Sequence, residues 1–304
     1  MNIESFMTAF PKAKYHQNEP LKYYAYTKVG GPADLLVFPQ SAAELQQMIV
    51  KANELNIPYT ALGNSSNIII QDGGMAGIVF MLTDMKTITA TADHQLIADA
   101  GARIIDVSRK AREEAWTGLE FACGIPGSVG GAAYMNAGAY GGEISEVLTS
   151  VLVLTPKGQL ETRTNDQMKF SYRHSMLQEN SEIVVSATFQ LTPGDQQEIS
   201  ERMADLTHRR ESKQPLELPS CGSVFKRPAG HYTGQLVQSS HLQGYTVGGA
   251  QVSKKHAGFI VNIDHATAQD YLDVIHHVQE VVYKDHGVHL ETEVRIIGRE
   301  KAKE

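Results

Sequence analysis

The stretch that decides the fold is GIPGSVGGAAYMNAGAYGG, residues 124–142. Seven of its nineteen residues are glycine, and a folded chain uses that much backbone freedom only where it turns tightly or touches a ligand with its main chain. A flat ring system beside a diphosphate requires both. A flexible linker is the alternative, but Pro126, Tyr134 and Asn136 are too specific for one. The segment therefore predicts a ligand-binding loop.

A second candidate loop is GNSSN, residues 63–67, which comes directly before the apolar run 68–70. Small polar residues at the end of a strand leave N–H groups and hydroxyls free to surround a diphosphate. A plain turn is the alternative, because the same residues are common turn formers. Neither loop is a G-x-G-x-x-G fingerprint that follows a strand, which disfavours a nicotinamide-type Rossmann site.

The composition is that of an ordinary globular protein of more than one domain. The chain has 304 residues and a formal net charge of -7, so we expect two or three domains and no nucleic-acid partner. Cys123 and Cys221 fit no metal-ligand spacing and predict two free thiols in a reducing compartment. The N-terminus has no basic stretch followed by an apolar one, and the sequence has no run of ~18 apolar residues. We therefore expect no signal peptide, no membrane span and a cytoplasmic location.

The N-terminal third of the chain predicts a small α/β unit. Residues 34–38 are apolar and predict a buried strand, and residues 41–55 predict a helix with Ser41 as its N-cap. A second strand ends at Leu62, and residues 67–71 form a third.

The middle of the chain, residues 87–191, predicts a strand-rich domain. Its apolar segments are separated by glycine-rich turns and one helix: 95–100, 147–154 and 183–191 as strands, and 104–114 as the helix. Residues 196–210 predict a polar helix that links this domain to the next.

The C-terminal part contains one strongly periodic helix, residues 267–286, which we expect to stop at Gly287. Its buried stripe consists of Tyr271, Ile275, Val278 and Val282. Residues 288–296 alternate and predict a last strand. Val288, Leu290, Val294 and Ile296 would lie on one face, and Glu293 on the polar face.

Three polar motifs carry possible chemistry. Arg173, in the segment 172–175, has a guanidinium that can form two parallel hydrogen bonds with a carboxylate or phosphate. Ser223 is followed by two cations, a combination that supplies a proton donor beside an anion-binding pair. Glu293 is an acid on the predicted last strand. Each has an ordinary alternative: a surface arginine, the start of a strand and a solvated strand face.

Taken in order, seven segments resemble the UDP-N-acetylenolpyruvoylglucosamine reductase family, and they cover about the whole chain: 30–34, 63–70, 124–142, 172–175, 221–228, 256–262 and 290–298. Any one of them is a weak signal, but together they are specific. The length resembles the shorter class of the family, which lacks an extra substrate-covering loop.

The resemblance implies an α+β fold. It implies an FAD-binding module of two domains, like that of vanillyl-alcohol oxidase and related hydroxy-acid oxidases (PCMH-like), and a C-terminal α+β substrate-binding domain. We expect these domains at residues 1–85, 86–196 and 197–304, and the last strand is expected to return to the first of them.

The implied reaction has two halves. NADPH reduces non-covalently bound FAD, and the flavin then reduces the enolpyruvyl ether of UDP-N-acetylglucosamine to UDP-N-acetylmuramate, a precursor of peptidoglycan. The resemblance implies no metal and no partner other than NADPH and this sugar nucleotide, and a monomer is expected.

The resemblance also assigns residues. Arg173 would stabilise negative charge on the substrate carboxylate, Glu293 would orient or share in that role, and Ser223 would donate the proton. FAD would be bound by Gly63, Asn64, Ser65, Ser66, Asn67, Ile68, Gly124, Ile125, Pro126, Gly127, Ser128, Gly130, Gly131, Asn136, Ala137 and Gly138. The substrate would be held by Tyr172, Lys226, Arg227 and Gln251.

Two positions depart from the family pattern: Arg227 stands where we expect asparagine, and Gln238 where we expect an acid. Two other functions remain open on the sequence alone. One is an FAD-dependent oxidase of a hydroxy acid or alcohol, although residues 124–142 contain no histidine for covalent attachment of the flavin. The other is a non-catalytic protein that binds UDP-sugars.

Overall fold

The computed structural model describes residues 2–301. The outermost ends of the predicted domains, Met1 and residues 302–304, lie outside them. The chain divides into two compact units. Among the described residues, the first contains 2–17, Leu35–Asn64 and Gly77–Arg210, and the second contains Asn18–Asp34, Ser65–Ala76 and 211–301. The predicted domain boundaries at residues 85 and 196 stay a prediction.

The α-helices within residues 2–301 are, in chain order, α1 Ile3–Ala9, α2 Ala42–Glu54, α3 Ile104–Glu113, α4 Val129–Tyr134, α5 Asn165–Met168, α6 Leu177–Asn180, α7 Gln196–Lys213, α8 Thr233–Ser239 and α9 Ala268–His286.

The strands of the same residues are, in chain order, β1 Lys14–Pro20, β2 Pro32–Phe38, β3 Tyr59–Leu62, β4 Ile68–Ile70, β5 Met75–Met81, β6 Ile88–Ala90, β7 Gln95–Asp99, β8 Trp116–Thr117, β9 Gly138–Ala139, β10 Gly142–Glu143, β11 Leu148–Leu154, β12 Leu160–Thr164, β13 Ile183–Gln190, β14 Thr192–Pro193, β15 Ser220–Ser223, β16 Thr246–Val247, β17 Ala250–Val252, β18 Phe259–Asn262 and β19 Arg295–Ile297.

The largest sheet of the first unit is antiparallel, with the strand order β12-β11-β13-β7-β6. Its three inner strands are the apolar segments that the sequence predicted, and Val151, Val153 and Leu154 of β11 are fully buried. Together with α3 and α4, these strands contribute to one continuous hydrophobic core. The strand-rich character predicted for residues 87–191 is confirmed.

The α/β unit predicted from the N-terminal third is confirmed in part, because its third strand, β4, belongs to the second unit and pairs with β19 instead. A four-stranded sheet has the order β1-β2-β5-β3, and β3 pairs in parallel with β5. Helix α2 begins where predicted, because Ser41 Oγ accepts a hydrogen bond from the N–H of Glu44 at 3.2 Å. The Glu44 carboxylate in turn accepts the N–H of Gln40 at 2.7 Å, which fixes the residue that precedes the cap.

The second unit combines the antiparallel sheet β15-β18-β17-β16 with helix α9. A capping box between Thr267 and Asp270 starts α9, and Gly287 ends it with φ 68°, a left-handed conformation that favours glycine. The predicted stripe of Tyr271, Ile275, Val278 and Val282 is buried. Strand β19 pairs in parallel with β4.

The prediction of one strand over residues 288–296 is wrong, because the strand covers only Arg295–Ile297. The N–H groups of Glu293 and Val294 both point to the carbonyl of Val224, at 2.8 and 3.2 Å, instead of forming a regular ladder. Glu293 therefore precedes the strand. Ile296 is 38% exposed, so the predicted apolar face does not extend to it.

Helix α9 provides a stability test, because Ile275 is 1% exposed while its neighbour His276 lies on the exposed face. Replacing Ile275 with alanine leaves a cavity in the core of the second unit. We expect Ile275→Ala to lower the free energy of unfolding by about 2–5 kcal/mol and His276→Ala to change it by less than about 0.5 kcal/mol. Urea denaturation followed by circular dichroism measures both. Equal effects of the two substitutions would contradict the assigned faces of α9.

Candidate active site

The glycine-rich segment 124–142 is not a uniform loop. It begins with an irregular stretch and continues into helix α4, which the sequence analysis missed. Ser128 is the N-cap of α4, with its Oγ accepting the N–H of Gly131 at 3.3 Å. Backbone bonds from Ile104 N to Gly127 O, 3.0 Å, and from Val129 N to Ala102 O, 2.8 Å, fix the start of the helix in place.

The two predicted loops meet in the first unit. The side-chain amide of Asn64 donates to the carbonyl of Pro126 at 2.9 Å. A methyl group placed on Gly63 would overlap with the Oγ of Ser128. Position 63 therefore requires glycine for a close approach, although its backbone is not left-handed. The other residues of the first loop, Ser65, Ser66, Asn67 and Ile68, belong to the second unit.

The N–H groups of the glycine-rich segment fall into two sets. The first set is used inside the fold. The N–H groups of Ile125, Val129 and Gly130 donate to Ala122 O, Ala102 O and Ala100 O, and that of Gly131 donates to Ser128 Oγ. Those of Ala132, Met135, Asn136 and Ala137 bond to carbonyls of the same segment. Those of Gly124, Gly127 and Ser128 have no acceptor among residues 2–301. Buried or half-buried N–H groups normally have a partner. This second set, of which Ser128 lies against Gly63, thus fits a ligand with several acceptor oxygens.

Asn136 holds the far part of the segment together. It is fully buried; its amide donates to Ser171 O at 3.1 Å, and its Oδ1 accepts the N–H of Ser145 at 2.9 Å. The side chain is therefore a cross-link within the first unit. Contacts of Asn136, Ala137 and Gly138 with a cofactor stay a prediction.

Arg173 is fixed against the same segment. Ser171 and His174 bond each other's backbone at 3.1 Å, which forces a tight turn with Arg173 at φ 55°. Such a conformation is costly for a residue other than glycine and is often found at functional sites. The guanidinium donates to Gly138 O at 2.9 Å and lies over the ring of Tyr172, 5.3 Å from its centroid. The structure thus brings together Tyr172, Arg173 and the glycine-rich segment.

In the second unit, Ser223 and Glu293 are brought together through one carbonyl group. Ser223 ends β15 after Gly222, whose φ of 76° allows the irregular turn in this strand. The next residue, Val224, donates its N–H to Gly258 O at 2.9 Å and accepts the N–H of Glu293 at 2.8 Å. The positions of the predicted proton donor and the predicted acid therefore depend on each other.

The predicted substrate-binding side chains of the second unit already have partners nearby. Lys226 Nζ lies 3.1 Å from a Glu291 carboxylate oxygen, and the Arg227 guanidinium stacks on the ring of Tyr232 at 3.9 Å. Gln251 donates to Thr246 Oγ1 at 2.9 Å. Exposed pairs of this kind contribute only about 0–1 kcal/mol, so an anionic ligand can replace them. Gln238 is exposed on α8, and nothing in the structure explains its departure from the family pattern.

Sequence analysis assigned no role to two residues that lie beside the candidate site. His256 Nδ1 accepts the N–H of Gly258 at 3.2 Å, and burial lowers the pKa of its ring, which favours the neutral form. A methyl group on Gly258 would lie 3.2 Å from the ring and 3.9 Å from Ser223 Oγ. Arg210 of α7 lies against Gly124 in the first unit, where a methyl group would come within 2.6 Å of Arg210 Cδ. The bond between His256 and Gly258 is local, but the approach of Gly258 to Ser223 and that of Arg210 to Gly124 depend on tertiary packing and have no local sequence signal.

The other sequence-based expectations concern cysteines, metals and membranes. Cys123 and Cys221 are free, as predicted, and both are buried. Burial raises the pKa of the Cys221 thiol to about 12. Within residues 2–301, no cluster of three or more His, Cys, Asp or Glu side chains could hold a metal ion. No helix in that part of the chain is long and apolar enough to cross a membrane.

Two protein families match the chain. Residues 33–163 match the FAD binding domain, and residues 214–297 match the C-terminal domain of UDP-N-acetylenolpyruvoylglucosamine reductase. The first match contains the glycine-rich segment, and the second contains Ser223 and Glu293. The predicted α+β fold, with an FAD-binding module and a C-terminal domain, is confirmed.

Curated relatives and a solved structure agree with these matches. The UDP-N-acetylenolpyruvoylglucosamine reductase of Levilactobacillus brevis is 57% identical over 300 residues, which cover 99% of this chain and 98% of the relative. The enzyme of the same name from Pediococcus pentosaceus is 54% identical and covers 99% and 100%. The crystal structure of UDP-N-acetylenolpyruvylglucosamine reductase from Thermus caldophilus has a TM-score of 0.81 and 32% identity, and the match covers 94% of this chain and 98% of that one.

The contact between Gly63 and Ser128 can be tested through flavin binding. Ser128 cannot move away from a larger residue, since it is 1% exposed and caps α4. In Gly63→Ala, the added methyl group overpacks this contact at a cost of about 1–3 kcal/mol and should distort both loops. We therefore expect this substitution to lower the affinity for FAD about tenfold or more. Gly234→Ala on α8 is the control, because a methyl group there meets no atom within 4 Å. Fluorescence titration of flavin-free protein measures the affinity. Unchanged binding by Gly63→Ala would refute this role of the contact.

Proposed function

Because this chain belongs to the UDP-N-acetylenolpyruvoylglucosamine reductase family, we propose that it uses NADPH and non-covalently bound FAD to reduce the enolpyruvyl ether of UDP-N-acetylglucosamine. The product is UDP-N-acetylmuramate, a precursor of peptidoglycan. The observation that carries the proposal is the pairing of the Ser223 and Glu293 segments at Val224 O, since the reaction needs a proton donor and an acid held in fixed relation. The proposed setting is the cytoplasm, with the protein as a monomer, and the two free cysteines are consistent with a reducing compartment.

Bound FAD supplies an acceptor for hydride from NADPH and a donor of hydride to the sugar substrate. The residues that fit it are Gly63, Asn64 and the N–H groups of Gly124, Gly127 and Ser128, which have no acceptor within residues 2–301 and would surround a diphosphate and adjoining groups with donors. Ser65, Ser66, Asn67 and Ile68 complete the proposed set.

Arg173 is the proposed electrostatic catalyst. Addition of hydride to the vinyl carbon of the substrate pushes negative charge onto the conjugated carboxylate, and a cation that is already oriented stabilises this charge without reorganisation. The bond to Gly138 O, the contact with Tyr172 and the left-handed backbone hold Arg173 in one conformation. These contacts support its role as a preorganised cation.

Ser223 is the proposed proton donor. After hydride has reached the vinyl carbon, the carbon between the ether oxygen and the carboxylate needs a proton, which leaves the Ser223 hydroxyl as the new C–H bond forms. Ser223 is exposed within the described chain, so water can return the proton to its oxygen. Glu293 would orient the reacting groups from its position beside Val224.

The remaining polar residues are proposed to hold the substrate. Lys226 and Arg227 would bind its diphosphate or carboxylate, with Tyr172 and Gln251 lining the same substrate. Lys226 forms an exposed ion pair with Glu291, and Arg227 stacks on Tyr232. Such exposed contacts are weak, so anionic groups of the substrate can replace them.

We expect FAD to be bound without a covalent bond, because neither 63–67 nor 124–142 contains a histidine. When the yellow protein is denatured and passed through a filter, the flavin should appear in the filtrate. Flavin that remains on the polypeptide would contradict this.

The same preparation distinguishes the oxidase alternative: NADPH should bleach the flavin without air, and the enolpyruvyl sugar should restore its colour. Rapid recovery in air without any effect of the sugar would favour the oxidase.

Replacing Ser223 with alanine should separate the two halves of the reaction. The serine has no part in hydride transfer from NADPH, so bleaching of the flavin should proceed at nearly the wild-type rate. Reoxidation by the enolpyruvyl sugar should fall by about 10²–10⁴-fold, the usual loss for a general acid, with little change in substrate affinity. Stopped-flow absorbance measures each half by itself.

The control for this experiment is Cys221→Ala, two residues away, since Cys221 is a buried thiol in the core of the second unit. It should leave both halves largely intact. If Ser223→Ala slowed both halves equally, the serine would be a structural residue and not the proton donor.

A further inference from the structure

Asn67, the last residue of the loop 63–67, is bonded to the segment that carries Glu293. Both residues belong to the second unit, although they are 226 positions apart in the chain. The side-chain amide of Asn67 donates to the carbonyl of Glu293 at 3.3 Å, in a half-buried setting. The main-chain carbonyl of Asn67 accepts the N–H of Arg295 at 3.1 Å. One residue therefore holds both ends of the stretch 293–295.

These two bonds resemble one step of a parallel ladder in which a side chain has replaced a main-chain group. Strands β4 and β19 pair in parallel, with Ile68 opposite Arg295. One step earlier, a regular ladder would use the N–H and the carbonyl of residue 67 to bond the partner strand. The carbonyl of Asn67 does so, but the side-chain amide takes the place of the N–H.

The replacement leaves the main-chain N–H of Asn67 available to a ligand. This N–H has no acceptor among residues 2–301. It lies at the end of the loop that is proposed to bind FAD, where a main-chain donor suits a diphosphate oxygen. Asn67 thus presents its main chain to the loop's ligand while its side chain is used by Glu293.

The peptide groups on both sides of the Glu293 α-carbon are fixed by hydrogen bonds. The N–H groups of Glu293 and Val294 donate to the carbonyl of Val224 at 2.8 and 3.2 Å, and Val224 is fully buried. The amide of Asn67 holds the carbonyl between these two N–H groups. Peptide groups are planar, so fixing two successive ones restricts φ and ψ of the residue between them. The direction of the Glu293 side chain is set in this way.

We propose that Asn67 is a positioning residue for Glu293: its side-chain amide fixes the peptide of residue 293 and thereby directs the acid toward the sugar substrate. This inference rests on the proposed function and adds to it a link between the cofactor loop and the acid. Precise orientation matters for such a group, because a displacement of about 1 Å can lower a rate about 100-fold.

The first test follows the two half-reactions of Asn67→Ala by stopped-flow absorbance, in the absence of air and with excess FAD. Glu293 is proposed to act on the sugar, so NADPH should bleach the flavin at nearly the wild-type rate. Reoxidation by the enolpyruvyl sugar should fall about 10–100-fold, because the acid is no longer held in one direction.

A double-mutant cycle with Glu293→Gln shows whether Asn67 acts through the acid. Two residues that work through one contact have effects that do not add. In the Glu293→Gln background, Asn67→Ala should therefore change the rate of reoxidation by less than about twofold. A residue that only supports the fold would slow reoxidation by the same factor in both backgrounds.

The matched control is Asn53→Ala in the first unit. The side-chain amide of Asn53 also donates to a main-chain carbonyl, that of Pro156, at 2.8 Å. This variant loses the same kind of bond at a distance along the chain from every proposed site residue of the loop. It should carry out both half-reactions like the wild-type protein.

Three outcomes would overturn the proposal. One is unchanged reoxidation in Asn67→Ala. Another is an equal loss with and without Glu293→Gln. The third is weaker FAD binding with normal reoxidation once FAD is in excess, which would assign the amide to the cofactor.

A second variant covers the case in which Asn67→Ala does not fold. Asn67→Asp keeps the shape of the side chain, but at neutral pH its carboxylate cannot donate to the carbonyl of Glu293. It must then show the same selective loss of reoxidation. Wild-type flavin that the enolpyruvyl sugar fails to reoxidise would instead refute the proposed function.

Discussion

The close approach of Gly63 to Ser128 is the constraint on which the first unit's candidate site depends. No side chain fits between them, and the hydroxyl that fills the space also caps α4. One atom thus links the loop after β3, the irregular start of the glycine-rich segment and the first turn of a helix. The bond from Asn64 to Pro126 O strengthens the same junction. The result is a set of N–H groups held in place without any ligand, which lowers the ordering cost of binding one.

The second unit has a comparable junction at the carbonyl of Val224. It accepts N–H groups from both Glu293 and Val294, and this shared acceptor interrupts the strand that sequence alternation predicts. The irregularity has a chemical consequence, because it brings an acid next to the residue that follows Ser223. Gly222 contributes from the other side with a left-handed turn that only glycine adopts without strain. Local departures from regular strand geometry often accompany functional sites.

The cations of this protein fall into two classes with different physical roles. Arg209 and Lys226 lie at the surface beside carboxylates, where water screens them and each pair adds little to stability. Arg173 is held in one conformation by a carbonyl and an aromatic ring, and Arg210 is half-buried and pairs with no acid among residues 2–301. The second class costs stability in the folded chain, and such residues are commonly kept for binding or catalysis. Exposure and partners, not residue type, separate the two classes.

The sequence by itself determined the elements whose signals are local. The caps and periodicity of α2 and α9 were sufficient because they depend on residues three or four positions apart, and the order of the motifs sufficed to indicate the family. Only the tertiary structure decided how the glycine-rich segment divides its N–H groups between the fold and a ligand, since Ala100 and Ala122 supply the competing carbonyls. It also decided the end of the last strand and the contact between Arg210 and Gly124. Both depend on atoms far apart in the chain, and a sequence pattern records only neighbours along it.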